Sequence, residues 1–488
     1  MELQNYFKKF RENTIGYDQK YKTYYGDVKM IYADWTASGR LYRPIEDKMV
    51  NTFGPFVGNT HTQTSETGMI MTKAYHIAHN KIKSHVNAGE NDVIITAGSG
   101  MTGVVNKLQR ILGLRVSEKL RSYVNIPEEL RPIVFITHME HHSNQTSWLE
   151  TIADVEIIPP DSNGLVDPNN LEELLKRYKD RKFKIGSFSA CSNVTGITTP
   201  YYELAKLMHQ NGGICFVDFA ASGPYVKIDM HPEDPEKRLE AVFFSPHKFL
   251  GGPATPGVVV FDSSLYSNIV PDNPGGGTVD WTNPWGEHRY SSDIEIREDG
   301  GTPGFLQAIK ASLCMDLKAQ MNVDNIQNRE KELLNILFDG LSNIDGLHIL
   351  AGNIKERLGI VSFYADDIHF NLMVKILNDR FGIQSRGGCS CAGTYGHYLL
   401  NIDRSTSKKI TDMIDSGKFF DKPGWVRLSV HPIMTDDEVR YISEAIKETV
   451  KNIKSWQKDY VYDPKSNEYR NIHFTQKDDT IEEWFRLV

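Results

Sequence analysis

Between residues 93 and 262 the chain repeats one pattern: a short run of β-branched and aromatic residues, then a polar turn, then a stretch compatible with helix. The runs are VIIT (93–96), IVFIT (133–137), VEIIP (155–159), KIGSFSA (184–190), ICFVDF (214–219), AVFFSP (241–246) and GVVVFD (257–262). Most are apolar at nearly every position rather than at every second one. Strands of that kind are covered on both faces, as in a mostly parallel sheet flanked by helices. Segments 101–114, 144–152, 168–180 and 201–211 are the expected helical coverings, which indicates a doubly wound α/β architecture with a seven-stranded sheet. The last pair of runs breaks the pattern. Only residues 247–256 separate them, and a parallel crossover needs about a dozen residues or more. The final strand is therefore expected to run antiparallel to its partner or to be displaced across the sheet.

Residues 263–304, rich in Gly, Pro, Asn and Trp, read as a long ordered loop. A helix is expected from about Gly304, leading into a smaller α+β domain with strands at 360–365 and 426–430 and helices near 368–381 and 436–456. The division this suggests is an N-terminal segment (1–30), a large domain (31–310), a small C-terminal domain (311–456) and a surface tail (457–488). A net charge of -8 carries no basic footprint for nucleic acid. No run of about 18 apolar residues predicts a membrane span, and the opening MELQNYFKKFRENT lacks the apolar core of a secretory leader. Five cysteines in 488 residues do not make a disulfide scaffold, so a reducing, cytoplasmic setting is expected.

In open α/β sheets ligands bind beyond the carboxyl ends of the strands. Five runs deliver polar groups there: AGSGMTG after VIIT, HMEHHSN after IVFIT, CSNVTG after KIGSFSA, Asp218 near the end of ICFVDF, and His247 and Lys248 after AVFFSP. The segment GSGMTG, opening a helix, offers free backbone N–H groups, the Ser99 and Thr102 hydroxyls and the positive end of a helix dipole, a cradle for phosphate. It is not a P-loop, because the GK[ST] ending is missing, and no acidic partner follows about 20 residues later, as a dinucleotide fold would require. Asp218 stands in an apolar strand and needs a partner, either Lys248, a backbone amide or a protonated heterocyclic nitrogen. A phosphorylated aldehyde with a pyridinium nitrogen would use all three features: phosphate at the glycine-rich helix start, nitrogen at Asp218, aldehyde carbon on Lys248 as a Schiff base. That cofactor is pyridoxal 5'-phosphate.

The motifs EHHSN, SNVTG, VDFAAS, SPHK and RGGCSCAG resemble, in order and spacing, those of the class V aminotransferase family of fold-type I pyridoxal-phosphate enzymes, closest to its cysteine desulfurase and selenocysteine lyase branch. The resemblance runs from about residue 30 to 430. It implies that Lys248 carries the Schiff base, that Ser245 and His247 bind phosphate with Met101 and Thr102, and that Asp218 keeps the ring nitrogen protonated. It implies that His141 stacks on the ring, although His142 stands beside it, and that Asn193 bonds the cofactor or the substrate. Thr302 in GGTPG resembles a residue that reaches the phosphate of a partner subunit, which implies a homodimer with shared sites. Arg427 in VRLS matches an arginine that grips the substrate α-carboxylate, as a planar guanidinium can, and His61 in GNTHTQTSETG resembles a substrate contact. No metal ligand set is expected.

Cys391 in SRGGCSCAGTYGHY falls where the desulfurases carry their nucleophile, and Arg386 or His397 could favour its thiolate. Cys389, two residues away, leaves open a redox pair or two packed cysteines. The chain departs from the family at Ala221, where desulfurases commonly carry glutamine, and in its longer segments 263–300 and 394–425. The expected activity is removal of sulfur or selenium from L-cysteine or L-selenocysteine through a Cys391 persulfide, with transfer to an acceptor protein. The alternatives are an aminotransferase or C–S lyase working without a protein thiol, and a non-catalytic scaffold in which Lys248 is idle.

Overall fold

Seven strands form the central sheet of the computed structural model, which describes residues 2–474 and 479–487. They are β1 (Asp92–Ala97), β2 (Ile133–Thr137), β3 (Asp154–Ile158), β4 (Lys184–Ser189), β5 (Ile214–Asp218), β6 (Ala241–Phe244) and β7 (Gly257–Asp262), in the spatial order β1-β7-β6-β5-β4-β2-β3. The pairs from β6 to β3 are parallel. Strand β7 is antiparallel to both β6 and β1, as the short connection before it requires. Strand β1, antiparallel to β7, therefore points the same way as β2 to β6, and six carboxyl ends share one rim.

The near-continuous hydrophobicity of these strands has a direct structural counterpart. Ile133, Phe135, Val217, Val242, Phe244, Val258 and Val260 enter one apolar cluster. Their immediate neighbours Val134, Ile136, Phe216, Phe243, Val259 and Phe261 enter a second cluster on the other face. Alternation along each strand thus feeds two cores rather than one core and solvent. Burial of those side chains at about 25 cal/mol per Å² is the main stabilisation available to the sheet. Helix Met101–Ile111 covers the second face through Val104, Val105, Leu108 and Ile111, spaced for one helical stripe.

A four-stranded antiparallel sheet lies C-terminal to the long helices Phe305–Met321 and Val323–Leu341: β8 (Leu347–Ile349), β9 (Ile360–Ala365), β10 (Arg386–Gly388) and β11 (Trp425–Ser429), in the order β8-β9-β11-β10. Helix Asp436–Trp456 follows, started by a capping box between Thr435 and Glu438. The N-terminus joins this part of the molecule. Ile31–Tyr32 pairs in parallel with Ile383–Gln384, Asp34 bridges to Ser429, and the Gly39 amide donates to the His247 carbonyl at 2.8 Å. Residues 31–39 are therefore a strap running from the small sheet to the loop that carries Lys248.

One stretch differs from the sequence reading, and others form elements to which that reading assigned no conformation. Segment 263–300 is not a plain loop: it contains a hairpin, Val279–Thr282 with His288–Tyr290, and the short helix Ile294–Arg297. Two ion pairs fasten it to helix Met101–Ile111, the buried Lys107 Nζ 2.7 Å from Glu298 and the partly exposed Arg110 Nε 2.6 Å from Asp272. Segment 394–425 is largely helix, Gly393–Leu399 and Arg404–Asp415. The 20-residue helix Glu66–His85 was not anticipated, because its packed face is built from Met71, Thr72, Tyr75, Ala78 and His79 as well as Ile82, a stripe of low apolar contrast. The tail forms a hairpin, Tyr460–Asp463 with Glu468–Asn471, that buries Tyr460 and Asn471. Met1, residues 475–478 and Val488, parts of the expected N-terminal segment and tail, lie outside the described residues.

Gly257 opens β7 where a Cβ would stand 2.1 Å from the Gly100 carbonyl oxygen, just ahead of helix Met101–Ile111. Gly257→Ala is expected to push that turn aside, costing about 1–3 kcal/mol by overpacking. Equilibrium urea unfolding should show a lowered midpoint. An unchanged midpoint would mean that the turn yields freely.

Candidate active site

The rim of parallel strand ends opens into a cavity of about 470 Å³. Of the expected residues, Met101, Thr102, His141, Asn193, Asp218, Ser245, His247, Lys248, Cys391 and Arg427 all line it. Topology brings them together. Asp218 is the last residue of β5, Ser245 to Lys248 follow β6, His141 follows β2, and Asn193 follows β4. Arg427 and Cys391 reach the cavity from the small sheet and the turn after it. His61 and Thr302 do not line it. Both are exposed, Thr302 accepting a 3.4 Å hydrogen bond from Asn59 and His61 lying beside Gly277.

At the helix end, the Met101 amide donates to Ser245 Oγ at 2.8 Å, and the Thr102 and Ser143 hydroxyls are 2.7 Å apart. A Cβ on Gly100 would sit 3.2 Å from Ser245 Oγ and 3.4 Å from His247 Nε2, so glycine keeps this end of the cavity open. Hydroxyls, an imidazole and the helix N-terminus converge there, a donor set suited to a phosphate.

Deeper in, Lys248 and Asp218 lie close enough for each charge to act on the other. Burial pushes the Lys248 ammonium down to about 8, opposed by the Asp218 charge. Burial likewise raises the Asp218 carboxyl, while the Ala220 amide, 2.8 Å away, and Lys248 pull it back. One hydrogen bond is little for a carboxylate only 5% exposed, so a cationic partner would be well accommodated. The buried Asn193 Oδ1 and Thr36 Oγ1 also have no hydrogen-bond partner. Orphaned polar atoms, an under-satisfied carboxylate and a phosphate-shaped end fit pyridoxal phosphate.

The choice between the two histidines is made by position. His141 caps helix His142–Leu149 by accepting from the Ser143 amide and turns its ring to the cavity. Burial pushes it down to about 3, with Lys248 adding to the effect, so it is neutral. His142 instead accepts from the Gly393 amide at 3.0 Å, and its own amide donates to the Cys391 carbonyl at 2.8 Å. It holds the cysteine turn. That turn is held again by Asn193 Nδ2, donating to the Ser390 carbonyl at 2.7 Å, and by Trp425 Nε1, donating to Ser390 Oγ. Ser390 and Cys391 both adopt left-handed backbone, φ 53° and 54°, which leaves Cys391 exposed at the cavity mouth. Cys389 is half-buried against the core. His397 is not available to the thiol, since its two nitrogens engage the Gly393 carbonyl and Ser407 Oγ. Arg386 and Arg427 are close enough to feel the Cys391 charge.

Asp34 and Thr36 were not anticipated, and Arg386 only as a neighbour of the thiol. The strand that presents Asp34 and Thr36 is two residues long, too short for any periodicity to reveal. Ala221 lines the cavity with a methyl group and can offer no side-chain hydrogen bond.

The sequence profile described as aminotransferase class-V matches residues 31–442. A probable cysteine desulfurase from Halalkalibacterium halodurans is 27% identical over 370 residues, 74% of this chain and 84% of that protein. A cysteine desulfurase from Haloferax volcanii is 26% identical over 408 residues, 80% and 89% of the two chains. Among solved structures, a cysteine desulfurase from Thermococcus onnurineus superposes with a TM-score of 0.71 at 21% identity, covering 91% of this chain and 98% of that one. A cysteine desulfurase from Escherichia coli gives 0.67 at 21% identity, covering 86% and 94%. The chain belongs to the class V aminotransferase family of pyridoxal-phosphate-dependent enzymes.

Proposed function

We propose that the chain binds pyridoxal 5'-phosphate at this cavity and acts as a cysteine desulfurase. The observation that carries the reading is the meeting of a half-buried lysine, a buried carboxylate and an exposed cysteine, from three separate parts of the sequence, in one cavity with Arg427. Sequence relatives named as cysteine desulfurases support the same activity.

Lys248 would hold the cofactor through its aldehyde carbon, Asp218 would pair with the ring nitrogen, and His141 would pack against the ring. Ser245, His247, Thr102 and the Met101 helix end would hold the phosphate, and Asn193 would offer its free Oδ1 to cofactor or substrate. When bound, the cofactor supplies an electron sink for the substrate's Cα. Arg427 holds the substrate carboxylate. Cys391 as thiolate forms a bond to the substrate sulfur as the Cβ–S bond breaks. The electron pair of that bond stays with Cβ, which takes up the proton of the substrate thiol. Alanine and a Cys391 persulfide result, and exposure of Cys391 lets an acceptor protein reach the transferable sulfur. Selenocysteine would follow the same course. A second copy of the chain could bring its exposed His61 and Thr302 to the cavity, so light scattering should give the mass of two chains.

Borohydride reduction of protein reconstituted with pyridoxal phosphate should leave the cofactor's mass on the peptide containing Lys248. A mass found on any other lysine would overturn the assignment. Only a neutral amine can bond to an aldehyde, so the rate of attachment to the apoprotein should rise about tenfold per pH unit below the Lys248 value. It should level off above about pH 8. Cys391→Ser should release at least about 100-fold less sulfur from cysteine while retaining the cofactor's absorbance. Cys389→Ser should keep most of the activity. Full activity in the Cys391 variant would favour a lyase or aminotransferase that needs no protein thiol.

A further inference from the structure

Arg386 and Arg427 stand directly opposite one another across the antiparallel pair β10–β11. Like charges in that arrangement destabilise a sheet. Asp34 resolves the conflict. Its Oδ1 accepts from Arg427 at 2.9 Å and its Oδ2 accepts from Arg386 Nε at 3.0 Å. The Asp34 and Arg427 side chains are 12% and 4% exposed, whereas that of Arg386 is 53% exposed and turned to the cavity. Arg427 also donates to the Asn193 carbonyl at 3.2 Å, and its Nε is buried without a partner. Two cations share one carboxylate, so the pair presents a single residual positive charge to the cavity. Asp34 stands behind the arginines rather than on the cavity wall; the carboxylate that does line the cavity, Asp218, lies beside Lys248 and adds no cation.

We propose that Asp34 is a positioning residue that tunes the two arginines into a receptor for one carboxylate, restricting the enzyme to amino acids whose side chain carries no second negative charge. The inference rests on the reading of this cavity as an amino-acid site, and names the residue that would keep dicarboxylic amino acids out of it. An anion with two carboxylates meets one net charge and leaves its second group unpaired in a partly desolvated cavity. Removing the Asp34 charge doubles what the arginines offer. Asp34 also sits on the strap that reaches the Lys248 loop, so it fixes the arginines relative to the reacting centre.

The test is calorimetric titration of the purified enzyme with propionate and with succinate, neither of which can react at Lys248. The wild-type protein is expected to bind propionate about tenfold more tightly than succinate. Asp34→Asn should reverse the order, and Asp34→Glu should restore it. A residue that merely supported the fold would weaken both anions alike, so an unchanged ratio in Asp34→Asn overturns the proposal, as does wild-type protein that binds neither anion. Arg386→Gln, altered at an exposed side chain, covers the case in which Asp34→Asn does not fold. It leaves Arg427 neutralised by Asp34 and should weaken propionate about tenfold, and unaltered affinity there again overturns the proposal. Sulfur release from cysteine is assayed on the same preparations. Protein that releases none yet prefers propionate loses the desulfurase reading and keeps this one.

Discussion

Asp218, buried at the end of β5, and Lys248, half-buried in the turn after the neighbouring β6, each alter the proton affinity of the other. Desolvating an ammonium and a carboxylate costs several kcal/mol each unless other groups compensate. The protein offsets that cost with a rigid frame: β5 and β6 are paired in register, with Asp218 opposite Phe243, and both strands are packed on their two faces. A lysine whose amine is easily neutralised, next to a carboxylate that lacks a full set of partners, is what the proposed cofactor attachment calls for. The same pair on a flexible loop would find water instead.

The arginine side of the cavity follows a related logic. Arg386 and Arg427 are forced together by strand register, and their repulsion is relieved by a residue nearly four hundred positions away in the chain. The strap that carries Asp34 also bonds to the loop around Lys248. The two arginines and the loop around Lys248 are thus mechanically joined through backbone hydrogen bonds. The turn with Cys391 is held on this frame too, by His142, Asn193 and Trp425.

Much of this was legible in the chain. Hydrophobic runs without alternation revealed a sheet covered twice, because only a strand buried on both faces can afford them. A connection too short for a crossover left β7 either antiparallel or displaced across the sheet, and the structure has it antiparallel. Lys248, Asp218 and His141 could be read as site residues because each follows or ends such a run. Where a stretch carried weak contrast, reading failed. The helix Glu66–His85 packs partly through threonine, tyrosine and histidine, and the segment 263–300 around the hairpin is anchored by ion pairs that leave no periodic trace.

By itself the sequence determined the α/β class, the direction of its strands and the set of chemical groups at their ends, since these depend on local pattern and connection length. Only the tertiary structure decided which groups share a cavity. It separated His141 from His142, removed His397 from the cysteine, and set Asp34 between two arginines. The physical reason is that short-range periodicity records which face of an element is buried, whereas a charge interaction depends on distance in space. Contacts such as Asp34 with Arg427 come into being only when strands far apart in the chain are brought within hydrogen-bonding reach.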